Sequence, residues 1–270
     1  MQSIGSTPIP ERFSSVMGLG APTALYPAKN SARWGYAIFG LLLLAGTALT
    51  VLYGIYEVIV QTDKHGPAVF QDTITPPACI AGLMFLFGAV LAFSAIQNWN
   101  RAVVLYEKGL AYTDRKGLQA WRWEEVSLFF IAITRHYSYG IRTGTTYVYT
   151  LRKMDGSQIR LDNAFAKIQE LGGVVQQKVF PAQYERLAQA LKNGQTVTLG
   201  TVGLNNQGLT IGKKNFPWTD VEQVGIQRGF VSIKKKDGGW FSGATASVAS
   251  VPNLEAMLAV VDQIVKVKAG

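Results

Sequence analysis

The chain offers few residues for catalysis or metal binding. Among its 270 residues are one cysteine and two histidines. A single cysteine excludes an intrachain disulfide and any site that needs several cysteines, and neither His65 nor His136 lies in a pattern typical of a triad or a metal site. Glu124 and Glu125 are adjacent, so on a strand they would point to opposite faces. The phosphate-binding and dinucleotide-binding glycine motifs are also missing. We therefore predict that the protein is not an enzyme, with no metal and no cofactor.

Three basic clusters are the residues best suited to bind a ligand. Lys and Arg near an anionic leaflet add about 1 kcal/mol each to binding. We identify seven possible contacts to anionic lipid headgroups or to a protein partner: Arg115, Lys116, Lys213, Lys214, Lys234, Lys235 and Lys236. The alternative, which the sequence favours, is a set of solvated basic turns. The net charge of +9 would permit non-specific phosphate contacts, but no recognition helix is evident, so we expect no nucleic-acid partner.

Two apolar runs indicate a membrane segment. Residues 34–56 and 73–100 contain no Asp, Glu, Lys or Arg, and about 20 apolar residues in a helix cross a hydrocarbon core. Charged residues make up only 16% of the chain, against about a quarter in soluble domains. We predict a transmembrane hairpin over 31–100, with helices at about 34–58 and 76–99. Pro76-Pro77 would lie at the start of the second helix, where the missing N–H is tolerated.

Basic residues near the apolar runs predict the orientation. Arg33 and Arg101 flank the hairpin, whereas the loop between the helices has Lys64 against three acidic residues. The positive-inside rule then places both termini in the cytoplasm and the protein in the inner (cytoplasmic) membrane, surrounded by lipid. Residues 1–30 are rich in Ser, Pro, Gly and Ala and are predicted to form a flexible arm. A segment that docks on a neighbouring subunit is the alternative for this arm.

After Arg101 the pattern changes to short β-branched and aromatic runs separated by turn residues, which is typical of hairpins. One phrase occurs twice: Gly109-Leu110 followed by Trp123-Glu124-Glu125-Val126, and Gly208-Leu209 followed by Trp218-Thr219-Asp220-Val221. A helical stretch follows each set of strands, at about 164–192 and 254–267. Pro181 should divide the first stretch into two helices. We predict an internal duplication, with units at 101–193 and 194–270. The alternative is a chance recurrence of residue types that are common in β-hairpins.

The repeated phrase resembles that of pleckstrin-homology-like (PH-like) domains in bacterial membrane proteins. The arrangement of a two-helix hairpin before such a module is similar to several uncharacterised bacterial families. The resemblance covers about residues 101–268 and implies one or two bent antiparallel sheets, each capped by a C-terminal helix. The predicted fold class is thus a membrane-anchored α+β protein. The resemblance supplies no ligand residues, because these families share no functional signature that matches here.

Three functions follow as hypotheses. The first is a non-catalytic, membrane-anchored scaffold or recruitment protein that acts at the cytoplasmic face through protein or lipid contacts. The second is an accessory subunit of a larger membrane complex, in which small residues such as Gly82, Gly88 and Ala89 allow close helix approach. The third is an enzyme or a transporter, but the absence of charge in the helix cores gives a transporter no substrate path without oligomerisation.

Overall fold

The structure is a computed structural model that describes residues 13, 16, 18–99, 101–114, 117–236 and 243–268. The chain divides into two compact units. One comprises 27–103 with 112–118 and contains two long helices. The other comprises the rest of the chain and contains most of the β structure.

The helical unit contains α1 (Asn30–His65) and α2 (Phe70–Trp99), joined through a 3-10 turn at Pro67–Val69. Both helices have the length and composition to cross a membrane, with mean hydropathies of 2.1 and 2.4. They are longer than predicted, and Pro76-Pro77 lies inside α2 instead of at its start. The helix begins earlier because the turn at Pro67 initiates it and Asp72 stabilises its first turn.

Small residues bring the two helices together. Ala81, Gly88 and Ala95 are the buried positions of α2 and recur every seven residues, the spacing of a helix–helix seam. Gly88 packs against Leu44 of α1. Gly82, which the sequence analysis also singled out, faces open space instead. The remaining apolar side chains of the hairpin are largely exposed.

The first part of the β structure is a four-stranded sheet, a three-stranded sheet and a helix. The four-stranded sheet has the order β1-β2-β3-β4 and the three-stranded antiparallel sheet has the order β5-β6-β7. Their strands are β1 (Pro22–Pro27), β2 (Ala102–Tyr106), β3 (Gly109–Asp114), β4 (Gly117–Arg122), β5 (Leu128–Ser138), β6 (Ile141–Arg152) and β7 (Gln158–Leu161), followed by α3 (Ile168–Lys192).

The second part has the same order of elements. A four-stranded sheet, β11-β10-β9-β8, is followed by a second sheet, β14-β13-β12-β15, and by a helix that packs into the core through Met257 and Val261. The elements are β8 (Val197–Leu199), β9 (Val202–Leu204), β10 (Gly208–Ile211), β11 (Lys214–Pro217), β12 (Val221–Gln227), β13 (Phe230–Lys235), β14 (Ala244–Ser247), α4 (Leu254–Val261) and β15 (Lys266–Lys268).

Strand β1 corrects the prediction of a flexible arm over residues 1–30. Pro22–Pro27 is an edge strand beside β2, and the predicted arm upstream of residue 13 lies outside the described residues. A prolyl residue at each end of this strand is tolerated because an edge strand needs fewer N–H donors. The helical hairpin therefore connects two neighbouring strands of one sheet. The corresponding strands β8 and β9 are joined by the short turn at Gly200-Thr201.

Two helix predictions are also wrong. α3 continues through Pro181 as a single helix, because Val179 and Gln183 on either side are buried and hold the helix against the core. The C-terminal helix ends at Val261, not at Val267. The last residues form β15, which pairs in parallel with β12 from Gln223↔Lys266 onward.

Candidate docking surfaces

The tryptophan of the repeated phrase has the same role in both parts. The Trp123 indole N–H donates to the Glu107 carbonyl at 3.2 Å, and the Trp218 indole N–H donates to the Asn205 carbonyl at 3.1 Å. Each tryptophan carbonyl then accepts from the backbone N–H of the valine three residues later. The phrase thus forms a tight turn that ends one sheet and starts the next.

The glycine of the phrase allows a close backbone contact. A Cβ atom on Gly109 would collide with the carbonyl oxygen of Trp121, and one on Gly208 would collide with that of Phe216. These contacts join β3 to β4 and β10 to β11. At both positions the neighbouring backbone lies too close for a residue with a Cβ atom, so the repeated phrase requires glycine there.

A lysine lies between an acid and an aromatic ring at matching positions of the two parts. In the first, the Lys153 ammonium is 3.1 Å from the Glu125 carboxylate and 4.9 Å from the centre of the Trp121 ring. A hydrogen bond from the Arg122 backbone N–H at 2.8 Å, aided by Lys153, lowers the pKa of Glu125.

In the second part, the Lys235 ammonium is 3.9 Å from the Asp220 carboxylate and 5.7 Å from the centre of the Phe216 ring. Lys235, one of the predicted ligand residues, therefore has structural partners of its own. Lys234 is similarly engaged, since its ammonium is 2.7 Å from the Glu222 carboxylate.

The other predicted ligand residues lie on separate turns. Lys213 and Lys214 are exposed at the turn between β10 and β11, and Lys236 is exposed after β13. Lys213 lies just before the first residue of β11, whereas Asp220, the partner of Lys235, comes after its last residue. Arg115 and Lys116 lie outside the described residues. Among the described residues of the predicted set, Lys213 and Lys214 are thus the adjacent basic pair best placed for an external contact.

The β5–β6 hairpin is a surface that the sequence analysis did not identify. Its two strands pair from Leu128↔Arg152 to Ser138↔Ile141, considerably further than the matching β12–β13 hairpin, which ends at Gln227↔Phe230. Its outer residues are exposed, including Ile133 at 52% and Ile141 at 71%. Isolated two-stranded hairpins are marginally stable in water, and apolar side chains exposed on one indicate a contact surface.

Strand β5 is also an edge strand of its sheet. At its base, the Phe129 N–H donates to Asn253 Oδ1 at 2.8 Å, and the Asn253 N–H donates to the Phe129 carbonyl at 2.9 Å. Both backbone groups of Phe129 thus point away from β6. Because backbone groups alternate in direction along an antiparallel strand, those of Ile131, Ile133 and Arg135 also point outward.

The opposite edge of the hairpin supports this assignment. The Tyr147 N–H donates to Asn163 Oδ1, and Asn163 Nδ2 donates to the Thr145 carbonyl, each at 2.8 Å. Odd-numbered residues of β6 therefore point away from β5, and even-numbered residues pair with it. Since Thr146 is opposite Thr134, it is the even-numbered residues of β5 that pair with β6.

A groove of about 900 Å³ follows the outer edge of β5. One wall is β5, and the other is formed by the β12–β13 turn and the 3-10 turn at Val248–Ser250. The volume is in the range of ligand-binding clefts. Arg135 and Arg228 line it, and none of its described lining residues is acidic: Ile131, Ala132, Ile133, Thr134, Arg135, Tyr137, Ile226, Gln227, Arg228, Gly229, Ser247, Val248 and Ala249.

Tyr26 ties β1 to α3. Its hydroxyl donates to Glu170 Oε1 at 3.0 Å. Burial, together with the hydrogen bond and the negative charge of Glu170, raises the pKa of Tyr26 to about 12. The edge strand that precedes the helical hairpin is therefore held in the β unit by a side chain as well as by its ladder.

Comparison with known proteins gives a family. A family of unknown function, DUF6585, matches residues 18–269. The chain belongs to this family. The match covers β1, both long helices and both sets of strands, so these parts form one family architecture. No curated protein matches the sequence. Among the described residues, no three His, Cys, Asp or Glu side chains are grouped to hold a metal ion.

Proposed function

We propose that the protein is a non-catalytic, membrane-anchored scaffold or recruitment protein that acts at the cytoplasmic face of the inner membrane. The observation that carries the proposal is the insertion of two long apolar helices between β1 and β2, neighbouring strands of one sheet. A two-helix hairpin in a bilayer returns the chain to the side from which it entered. Both sets of strands would then lie on one side of the membrane.

The end of the hairpin at which α1 begins and α2 ends has features expected of a cytoplasmic interface. The rings of Trp34 and Trp99 meet edge-on with centres 5.3 Å apart, and Arg33 Nη2 donates to the Arg101 carbonyl at 3.3 Å. Aromatic rings mark membrane–water interfaces, and basic residues near helix ends favour the cytoplasmic side. These residues support an orientation with both termini in the cytoplasm.

The order of the β elements supports PH-like units. Each part has a four-stranded sheet, a further sheet that contains an antiparallel hairpin, and a helix after these strands. The repeated Trp turn links the two sheets each time. We propose two PH-like units, with the first interrupted by the membrane hairpin. Such units would supply binding surfaces rather than a catalytic centre.

The alternative is an accessory subunit of a larger membrane complex. A Cβ atom on Gly82 would meet no neighbouring atom within 4 Å, and a glycine exposed on a membrane helix allows another helix to approach closely. Purification in mild detergent distinguishes the two. Size-exclusion chromatography with light scattering gives a small species for the scaffold and a large stoichiometric assembly for the subunit.

Cysteine labelling tests the anchored topology. Cys79 is the only cysteine, so Cys79→Ala provides a cysteine-free background for two single-cysteine variants. One is at Lys64, in the last turn of α1, and the other is at Met154, which is 92% exposed. In intact spheroplasts, a membrane-impermeant maleimide should label Lys64→Cys but not Met154→Cys, which should react only after permeabilisation. Extraction of the protein by alkaline carbonate, or the opposite labelling pattern, would contradict the proposal.

A further inference from the structure

We propose that the outer edge of β5 binds an extended, acidic peptide segment of a protein partner, which adds to the sheet as a further strand. The inference rests on the recruitment role proposed above and names the partner's chemistry. The groove beside β5 would hold the peptide, and the outward backbone groups of Ile131, Ile133 and Arg135 would form the new ladder.

Among the described residues, no strand pairs with the outer edge of β5, and this edge has a defined start and a defined end. It starts after Phe129, whose outward groups are already occupied by Asn253. It ends where a bulge shifts the register between His136 and Tyr137. The three outward residues between these limits offer three N–H and three C=O groups, and they extend over about 13 Å at the usual rise per strand residue. This length suits a peptide of about five residues.

Within the part of the chain that the structure describes, this length of the edge lacks the usual protection. Natural proteins cover exposed edges or place charges and bulges on them. Here, the bulge and Arg135 lie at the outer limit, whereas Ile131 and Ile133 occupy the middle, with Ile133 52% exposed. In strand addition, the backbone ladder supplies affinity and pockets for alternate side chains supply specificity. The apolar residues of β5 would contact alternate apolar side chains of the peptide.

The charge of the groove favours an acidic occupant. Arg135 and Arg228 are on its two walls, and no acidic residue is among its described lining residues. An Asp or Glu side chain on the peptide would lie between these guanidinium groups. A second copy of this chain is a poorer occupant, because pairing β5 with another β5 would bring the arginines of both copies to the same groove.

Selection from a peptide library tests the proposal. The full chain in lipid nanodiscs is exposed to a random heptapeptide library displayed on phage. The wild type should enrich peptides that alternate apolar residues with Asp or Glu and lack a central proline. Arg135→Glu/Arg228→Glu should instead enrich basic peptides and bind the wild-type peptides at least about tenfold more weakly. Lys178→Glu/Lys192→Glu, which changes exposed lysines on α3, is the matched charge control and should behave as the wild type.

Ile133→Pro tests the ladder itself. It removes an outward N–H and no bond to β6, so it should weaken peptide binding at least about tenfold without changing the tryptophan fluorescence of the protein. The charge-reversal variant keeps the test valid if the proline variant does not fold. Enrichment of no peptides by the wild type, or of the same peptides by the wild type and the charge-reversal variant, would overturn the proposal. A wild-type dimer that Ile133→Pro separates would assign the edge to a second copy. None of these outcomes alters the labelling pattern that tests the membrane anchor.

Discussion

Phe129 and Asn253 are hydrogen-bonded to each other through both backbone groups of Phe129, across 124 positions of sequence. Asn253 Nδ2 also donates to the Ser127 carbonyl at 2.8 Å. Asn253 has a positive φ of 53° and precedes the first residue of α4. One asparagine therefore joins the first set of strands to the C-terminal helix of the second.

Asn253→Ala should destabilise the β structure by about 2 kcal/mol, because it removes two side-chain hydrogen bonds and places alanine in a left-handed conformation. Urea unfolding of the full chain in detergent, followed by tryptophan fluorescence, measures the change. Asn253→Gly keeps the left-handed backbone conformation accessible and should lower the free energy of unfolding by less than Asn253→Ala does. Asn215→Ala, at an exposed position of β11, is the control. Equal midpoints for Asn253→Ala and the control would refute the bridging role.

Gly109→Ala and Gly208→Ala should each cost about 1–3 kcal/mol, the usual range for overpacking. In both cases the new methyl group meets a backbone carbonyl, of Trp121 or of Phe216, that has no rotamer by which to move away. Gly144→Ala is the control, since its Cβ would meet nothing within 4 Å. Thermal unfolding should rank both variants well below the control. A loss in only one of them would show that the two turns are not energetically equivalent.

Alkaline pH should weaken the contribution of Tyr26 to folding stability. Its pKa is raised to about 12, so between pH 10 and 12 the unfolded chain releases this proton while the folded chain retains it. Stability contributed by the raised pKa is therefore complete below pH 10 and is lost as pH rises toward 12. The advantage of the wild type over Tyr26→Phe in urea midpoint should be smaller at pH 11 than at pH 8. An advantage independent of pH would disprove this effect.

The basic residues should separate into two groups. Lys235→Gln should lower the unfolding temperature, because Lys235 lies between Asp220 and the Phe216 ring. Lys213→Gln/Lys214→Gln should leave it unchanged. Instead, we expect this pair to remove the slower hydrogen exchange that anionic nanodiscs impose on residues 212–214 relative to neutral nanodiscs. Lys178→Gln, at an exposed position of α3, is the control. Equal exchange in both kinds of nanodisc would argue against lipid contact at this turn.

Local patterns in the sequence predict the two long apolar helices and the repeated turn well. The apolar runs are visible because length and lack of charge suffice to define them, although Pro76-Pro77 misplaces the start of α2. The Trp phrase is visible because Trp123 and Trp218 use the same short backbone motif. Each of these features is formed by residues close together in the chain.

Non-local pairing accounts for what the sequence did not predict. β1 is six residues long with proline at both ends, and its partner β2 begins only after two long helices, so no local periodicity reveals it. The exposed edge of β5 has the same origin. In the sequence, Ile131 and Ile133 resemble any buried strand residues. Only the topology shows that, among the described strands, none pairs with that side of β5.

The position of the helical hairpin also sets an order of events during synthesis. β1 leaves the ribosome before α1, and its neighbour β2 only after α2. The first sheet cannot close until both helices have been synthesised. In the membrane-anchored protein that we propose, insertion of the hairpin therefore precedes completion of this sheet. The strands of the other four-stranded sheet, β8 to β11, follow one another without an intervening helix. That sheet can therefore form as soon as its own strands have been synthesised.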